Sequence, residues 1–263
     1  MPVSMRALAS ALWLLAATST VHAACDSGMA GRMSAKLHPG RTLDEARAAC
    51  KSWPGVLGRS IVVLPLLRAD AEPGVTELDL DVLVVQQADN GNTERGIITS
   101  RLFEQKVLLE DAGRIDDIRI DTTRYALAAG APVFGLRIRY SSSSRANPYA
   151  SETLLLYLQQ ADRLRKVIGG LEVSMDRSVW EGDCSGTFEQ MRSALSTAPT
   201  RSNGFSDLQL RRTLTGSQAV VVDGGCVVHP HKTVLESTVL HYDGARYVLP
   251  AKPPEFLRGI RNQ

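Results

Sequence analysis

Leu78-Asp79-Leu80-Asp81-Val82-Leu83-Val84-Val85 is the stretch that decides the fold. Apolar and acidic side chains alternate through its first half, and a period of two belongs to a β-strand, whose successive side chains leave on opposite faces. Read this way, Glu77, Asp79 and Asp81 project from one face and Leu78, Leu80 and Val82 from the other. Alternation of this kind is what a half-buried strand produces, so the carboxylates are expected to face solvent. The sharper alternative is that they hold a cation or form an acid/base pair.

The same period spreads outward from this stretch. Residues 60–64, 96–99, 118–120, 133–140, 153–158, 163–168, 205–211, 219–222 and 234–242 all read as strands. Arg137 and Arg139 alternate with Leu136 and Ile138 and read as a wet face rather than an anion site. Asn90-Gly91 is a strong two-residue hairpin signal; Ala129-Gly130, Gly169-Gly170, Gly224-Gly225 and Asp243-Gly244 are weaker ones. Turn signals spaced at roughly ten residues, without amphipathic helices between them, predict a mainly β chain folded as an antiparallel meander. That pattern is common to sandwich, barrel and partial propeller.

Three segments depart from it. Thr42 and Glu45 form a capping box after Pro39-Gly40, and Leu43, Ala46, Ala49, Cys50 and Trp53 fall at helical spacing, so a helix is predicted over 42–53, ending at Pro54. Residues 28–37 are read as another helix. Phe188, Met191, Ala194 and Leu195 suggest a short surface helix over 187–196.

The 263 residues are 44% apolar, enough for a real core, which excludes disorder as the main description. With 30 Lys+Arg against 28 Asp+Glu the charge is nearly balanced, and nothing points to nucleic acid. At the N-terminus Arg6 precedes an apolar run over 7–17, and Val21 and Ala23 supply the small residues a leader peptidase accepts at −3 and −1. Residues 1–23 therefore read as a signal peptide, 24–55 as a disulfide-stapled helical segment and 56–263 as the β domain. The mature chain is expected in the periplasm or secreted, with no transmembrane segment, because no later run approaches the ~20 apolar residues that spanning requires. A lipoprotein reading on Cys25 competes, but His22 occupies the position where an aliphatic residue is usual.

Export makes disulfides the default for Cys25, Cys50, Cys184 and Cys226. Of the three possible connectivities, spacing favours Cys25–Cys50 and Cys184–Cys226. The competing reading is a metal site on Cys226, His229 and His231, whose spacing matches none of the familiar zinc fingers. No catalytic residue is singled out: there is no G-x-S-x-G, H-E-x-x-H, P-loop or G-x-G-x-x-G pattern, although His38, His229, His231 and His241 leave a Ser-His-Asp set open. The loop over 141–149 mixes serines with Arg145, Asn147 and Tyr149, residue types common in recognition loops, and these three are the candidate binding residues.

Arg32-Met33, residues 37–43 and 50–54, Ser144-Arg145-Ala146-Asn147-Pro148-Tyr149 and Ser151-Glu152-Thr153-Leu154 together resemble a group of uncharacterised exported, periplasmic proteins of Gram-negative bacteria. That resemblance implies export and carries no activity. Gly204-Phe205-Ser206-Asp207-Leu208 and residues 242–247 are similar to the blade edges of FG-GAP-like propeller repeats. The calcium loop of those repeats is missing, so this similarity implies β-structure and not calcium binding. The functional expectation is an exported soluble envelope protein acting as a non-catalytic binding module, with no cofactor and with an envelope protein or glycan as partner. The alternative is a periplasmic hydrolase or metal-dependent enzyme using His229 and His231.

Overall fold

The computed structural model describes residues 28–87, 96–111, 113–142, 144–182, 184–231 and 233–250. The proposed leader, Cys25 and the Asn90-Gly91 turn lie outside them. Among the described residues the chain is mainly β: one helix, α1 (Met29–Leu37), precedes twelve strands. These are β1 (Ala49–Ser52), β2 (Arg59–Leu67), β3 (Thr76–Gln86), β4 (Ile97–Glu110), β5 (Arg114–Asp121), β6 (Val133–Ser142), β7 (Tyr149–Gln160), β8 (Arg163–Trp180), β9 (Gly186–Ser202), β10 (Phe205–Val222), β11 (Gly225–Pro230) and β12 (Val234–Leu240).

The main path runs β1-β2-β3-β4-β8-β7-β6-β5. Every pairing along it is antiparallel except β4 with β8, which meet in parallel at Arg101 and Arg163. The sheet is therefore mixed, with an antiparallel meander on each side of that junction. It is not closed into a barrel. β1 and β5, the two ends of the path, are joined by side chains: Lys51 Nζ donates to the Ile120 carbonyl at 3.2 Å and, just ahead of β1, Arg47 Nε donates to that of Ile115 at 2.8 Å. From β8 the sheet continues through β9 to β10, and β11 and β12 lie one after the other along the far edge of β10.

Curling of the main path brings one face of β2 and β3 (Ile61, Val63, Leu80, Val82) against Ile118, Phe134, Leu136 and Tyr157. Phe134 stacks on Tyr157 and meets Trp53 edge-on, with centroids 5.5 and 5.1 Å apart. The other face of the same two strands, Val62, Leu64, Leu83 and Val85, is covered by Met29 and Met33 of α1. A second core joins Leu154, Leu156 and Val167 to Leu208, Leu210, Tyr242 and Tyr247.

Burial on both faces of β3 overturns the solvent-face reading of its carboxylates: Asp79 and Asp81 are fully buried. Each meets guanidinium groups and further polar partners. Asp79 accepts from Arg41 Nη2 at 2.8 Å, Arg68 Nη1 at 3.1 Å and the backbone N–H of Lys106 at 2.9 Å. Asp81 lies 2.6 Å from His38 Nε2 and accepts from Arg101 Nε at 2.9 Å. Burial alone would raise the Asp79 carboxyl, but the Lys106 N–H and the two guanidinium groups outweigh it and hold it below the usual carboxylate range. Glu77, at the strand's end, meets Arg68 and Lys106 at 3.3 Å.

Both segments read as helices over 42–53 and 187–196 are corrected. Residues 42–44 lie extended beside β2, with Asp44 N–H bonded to the Pro65 carbonyl and Leu67 N–H to that of Thr42. After one turn at 44–48 the chain becomes β1, paired with β2 from Ala49↔Val63 to Ser52↔Ser60. A helix of this length is marginal in water, whereas the edge of a strand buried on both faces has backbone groups that must find partners. The second segment is β9, in continuous register with β10 from Leu195↔Leu210 to Gly186↔Ala219. Gly169-Gly170, read as a turn, is a bulge inside β8, where the β7 register shifts. The helix read over 28–37 stands as α1.

Replacing Asp79 by Asn should lower stability by about 3 kcal/mol, because a fully buried charge that holds the half-buried Arg41 and Arg68 would be removed. The urea midpoint should fall with the m-value unchanged. Asp117→Asn, which removes an exposed partner of Arg119, should change stability by less than about 1 kcal/mol.

Candidate functional site

Strands β6 and β7 pair antiparallel with Tyr140↔Ser151 and Ser142↔Tyr149 in register. Paired residues leave on the same side of a sheet, and so do residues two apart, so these four side chains share one face. Leu109 at the end of β4, and Asp111 and Gly113 beyond it, close the opposite wall. Together they line an open cleft of about 440 Å³.

Tyr149 donates its hydroxyl to Glu172 Oε1 at 2.9 Å, which fixes its ring from the neighbouring strand β8. Burial, with Glu172 beside it and against a hydrogen bond from Ser151, pushes its phenol above the ordinary value. Burial and the Glu110 charge do the same for Tyr140. Both phenols are therefore neutral at physiological pH. Leu109 is 47% exposed, an apolar surface left open in the cleft. The site offers aromatic and aliphatic faces, two serine hydroxyls and a carboxylate, which suits a polar ligand with a C–H face.

Of the three binding residues read from sequence, Tyr149 lies in this cleft. Arg145 and Asn147 are exposed and do not line it. Their loop is laid along the end of β8: Trp180 N–H bonds the Ala146 carbonyl at 2.8 Å and Ser178 N–H that of Pro148 at 3.0 Å. Within the loop Asn147 N–H donates to Ser144 Oγ at 3.0 Å. Sequence reading missed Tyr140, Ser142, Ser151 and Leu109. The register of β6 on β7 was the signal that groups three of them.

A larger cleft, about 820 Å³, follows the seam between β1 and β5 and includes Lys51, Arg119, Asp121 and Arg137. Arg119, Asp121 and Arg137 are already paired with one another or with neighbouring carboxylates. Asp121 accepts from Arg137 Nε at 2.7 Å, Tyr125 Oη at 2.9 Å and Thr123 N–H at 2.9 Å. Burial works to raise this carboxyl, and Thr123, Arg137 and Tyr125 overcome it, holding it at about 2. Arg137 reaches on to Glu152 Oε1 at 2.7 Å, and Arg119 pairs with the same carboxylate. Arg137 is thus half-buried in an ion network rather than on a wet face, while Arg139 is exposed as expected.

The metal alternative is not assembled. Cys226 is bonded to Cys184, as the spacing predicted, and no cysteine among the described residues is a free thiol. Cys226 pairs with Val221 and His229 with Gln218, one odd and one even position on β10, so the two leave on opposite faces. No group of three His, Cys, Asp or Glu among the described residues is placed to hold a metal ion. A Ser-His-Asp grouping does occur: His241 Nδ1 lies 3.1 Å from Asp207 Oδ2 and 3.3 Å from Ser202 Oγ. Both contacts fall on one nitrogen, whereas proton relay needs the acid and the nucleophile on different ones. No protein-family model, curated protein or solved structure matches this chain.

The Asp121 network generates a pH dependence with a definite sign. A carboxyl held below its unfolded value stabilises the fold above that value and ceases to do so as pH falls through the folded one. Replacing Asp121 by Asn should therefore remove about 2 kcal/mol at neutral pH. The gap between variant and wild type should close between about pH 4 and about pH 2. Urea unfolding at stepped pH measures both quantities.

Proposed function

We propose that the protein is an exported, non-catalytic binding module of the cell envelope, and that the Tyr140/Tyr149 cleft takes a short saccharide. The observation carrying this reading is the convergence of Tyr140, Tyr149 and the half-exposed Leu109 with the Ser142 and Ser151 hydroxyls in one open cleft. Sugar rings present C–H faces to aromatic and aliphatic surfaces and hydroxyls to polar groups, and this cleft has both kinds of lining. The apolar leader-like run over 7–17 and the disulfide between Cys184 and Cys226 support export, where envelope glycans lie. Among the described residues no helix is long and apolar enough to cross a membrane. The hydrolase reading built on His229 and His231 has lost its thiolate ligand to the disulfide.

Calorimetric titration with soluble peptidoglycan fragments tests the proposal. Wild type should bind, and Tyr149→Ala should weaken binding by at least about tenfold, since it removes both the aromatic face and the anchor to Glu172. Arg139→Ala, on the face of β6 opposite that of Tyr140, should leave affinity unchanged. Absence of binding by wild type, or equal affinity in Tyr149→Ala, would sink the reading.

A further inference from the structure

We infer that β12 is a pairing edge for a second copy of this chain, forming a two-fold, antiparallel contact centred on Ser237. This goes beyond the saccharide reading and is independent of it. β10 has β9 on one edge and β12 on the other, and among the described residues no strand pairs with the outer edge of β12. That edge is unguarded. Natural sheets blunt free edges with lysine, proline, bulges or extreme shortness. β12 is seven residues long, runs in unbroken register with β10 from Val234↔Leu214 to Leu240↔Leu208, and carries one charge, Glu236. Leu235 is 77% exposed, with Val234 and Val239 also exposed.

The sequence of the edge says what covers it. Pairing partners on β10 put Leu235, Ser237 and Val239 on the face of Thr213, Arg211 and Gln209, and Val234, Glu236, Thr238 and Leu240 on the other. A two-fold axis perpendicular to the sheet pairs residues of like face, so the contact centres on a residue. Centred on Ser237, Leu235 of each copy lies opposite Val239 of the other, twice over, and Glu236 lies opposite Thr238. The four exposed aliphatic side chains then form one outer-face cluster, and no like charges oppose. Centring on Glu236 would set two carboxylates face to face; centring on Thr238 would set Leu235 against His241. Only the Ser237 register is both apolar where the strand is apolar and free of charge conflict. It joins the two arms into one continuous sheet through backbone hydrogen bonds, the mode by which strands add to open edges.

Sedimentation equilibrium of the full exported chain over a concentration series should show reversible monomer–dimer association. Leu235→Lys introduces a charge where the monomer is already solvated, so the fold should persist by circular dichroism while the dimerisation constant weakens at least tenfold. Under oxidising conditions Ser237→Cys should give a covalent dimer on a non-reducing gel, because that residue meets its own copy. Leu235→Cys, which faces Val239, should not. A wild type that stays monomeric throughout, a dimer indifferent to Leu235→Lys, or cross-linking of Leu235→Cys equal to that of Ser237→Cys would each overturn the inference. None of these outcomes bears on saccharide binding, which is read by titration at the other site.

Discussion

Two carboxylates inside the hydrophobic core set the terms for the rest of the fold. β3 is covered by Phe134, Leu136 and Tyr157 on one side and by the segment after α1 on the other, so Asp79 and Asp81 have no route to water. Ionised carboxylates without partners would be prohibitive there. Their partners come from three places in the chain: His38 and Arg41 after α1, Arg68 after β2, and Arg101 together with the Lys106 N–H on β4. The network therefore clamps the N-terminal segment onto the sheet and ties β2, β3 and β4 together. Well-packed apolar residues could match it in energy, since buried ion pairs repay little more than their own desolvation. What the charges add is register, because a one-residue slip of β3 would put Leu78 and Leu80 among the cations and the carboxylates into the aromatic core.

The same clamp shapes the candidate site. Opposite Asp79 the β4 strand bulges: Leu78 pairs with Leu108 and Leu80 with Glu104, and Lys106 takes φ of 51°, a left-handed conformation uncommon outside glycine. Asp79 accepts the N–H this bend exposes. Beyond the bulge Leu108 enters the core while Leu109 turns outward to become the apolar wall of the tyrosine cleft. A buried carboxylate on one strand thus aims a binding-site residue on its neighbour, by way of the backbone.

The legible part of the chain was local. Strand period could be read wherever a strand has two unlike faces or is uniformly apolar, as in β2, β3, β6 and β7. Where the period of two was weak, helical spacing competed with it, and long-range pairing decided. Phe188, Met191 and Leu195 match a helix, yet Glu189, Met191, Ser193 and Leu195 also match one face of a strand, and fourteen paired residues on β10 settle which is real. Asn203-Gly204, both at positive φ, closes that β9–β10 hairpin, and Asp223-Gly224 closes the next; both are strong two-residue signals that outrank the helical spacing of Phe188, Met191 and Leu195. Asp79 and Asp81 read as solvent-facing because alternation reports that a strand has two unlike faces, not that either is wet. The cleft was half visible for the same reason: Tyr149 stands out in its loop, but Tyr140 joins it only through cross-strand register, a non-local property.

The body and the arm of the sheet are stabilised by different means. In the body, apolar side chains are buried in the cores around Phe134, around Leu156 and beneath α1. The outer reach of the arm has little to bury: β11 is exposed along its whole length, and Trp180 packs on Phe188 at 4.9 Å with Ala219 nearby and Gly186 beneath, where a Cβ would collide with the Val179 carbonyl. Cys184–Cys226 ties this end across 42 residues of sequence, a constraint worth about 4 kcal/mol in the chain-entropy account. A covalent tie supplies order without covering surface. That is the property an arm needs if its valines and leucines are to stay exposed for contact while its strands hold their register, and it is available only where thiols oxidise. The β10–β12 pair needs no such tie, because Leu208, Leu210 and Leu240 carry it into the second core; the disulfide orders the tip beyond it, where β11 has no core to join.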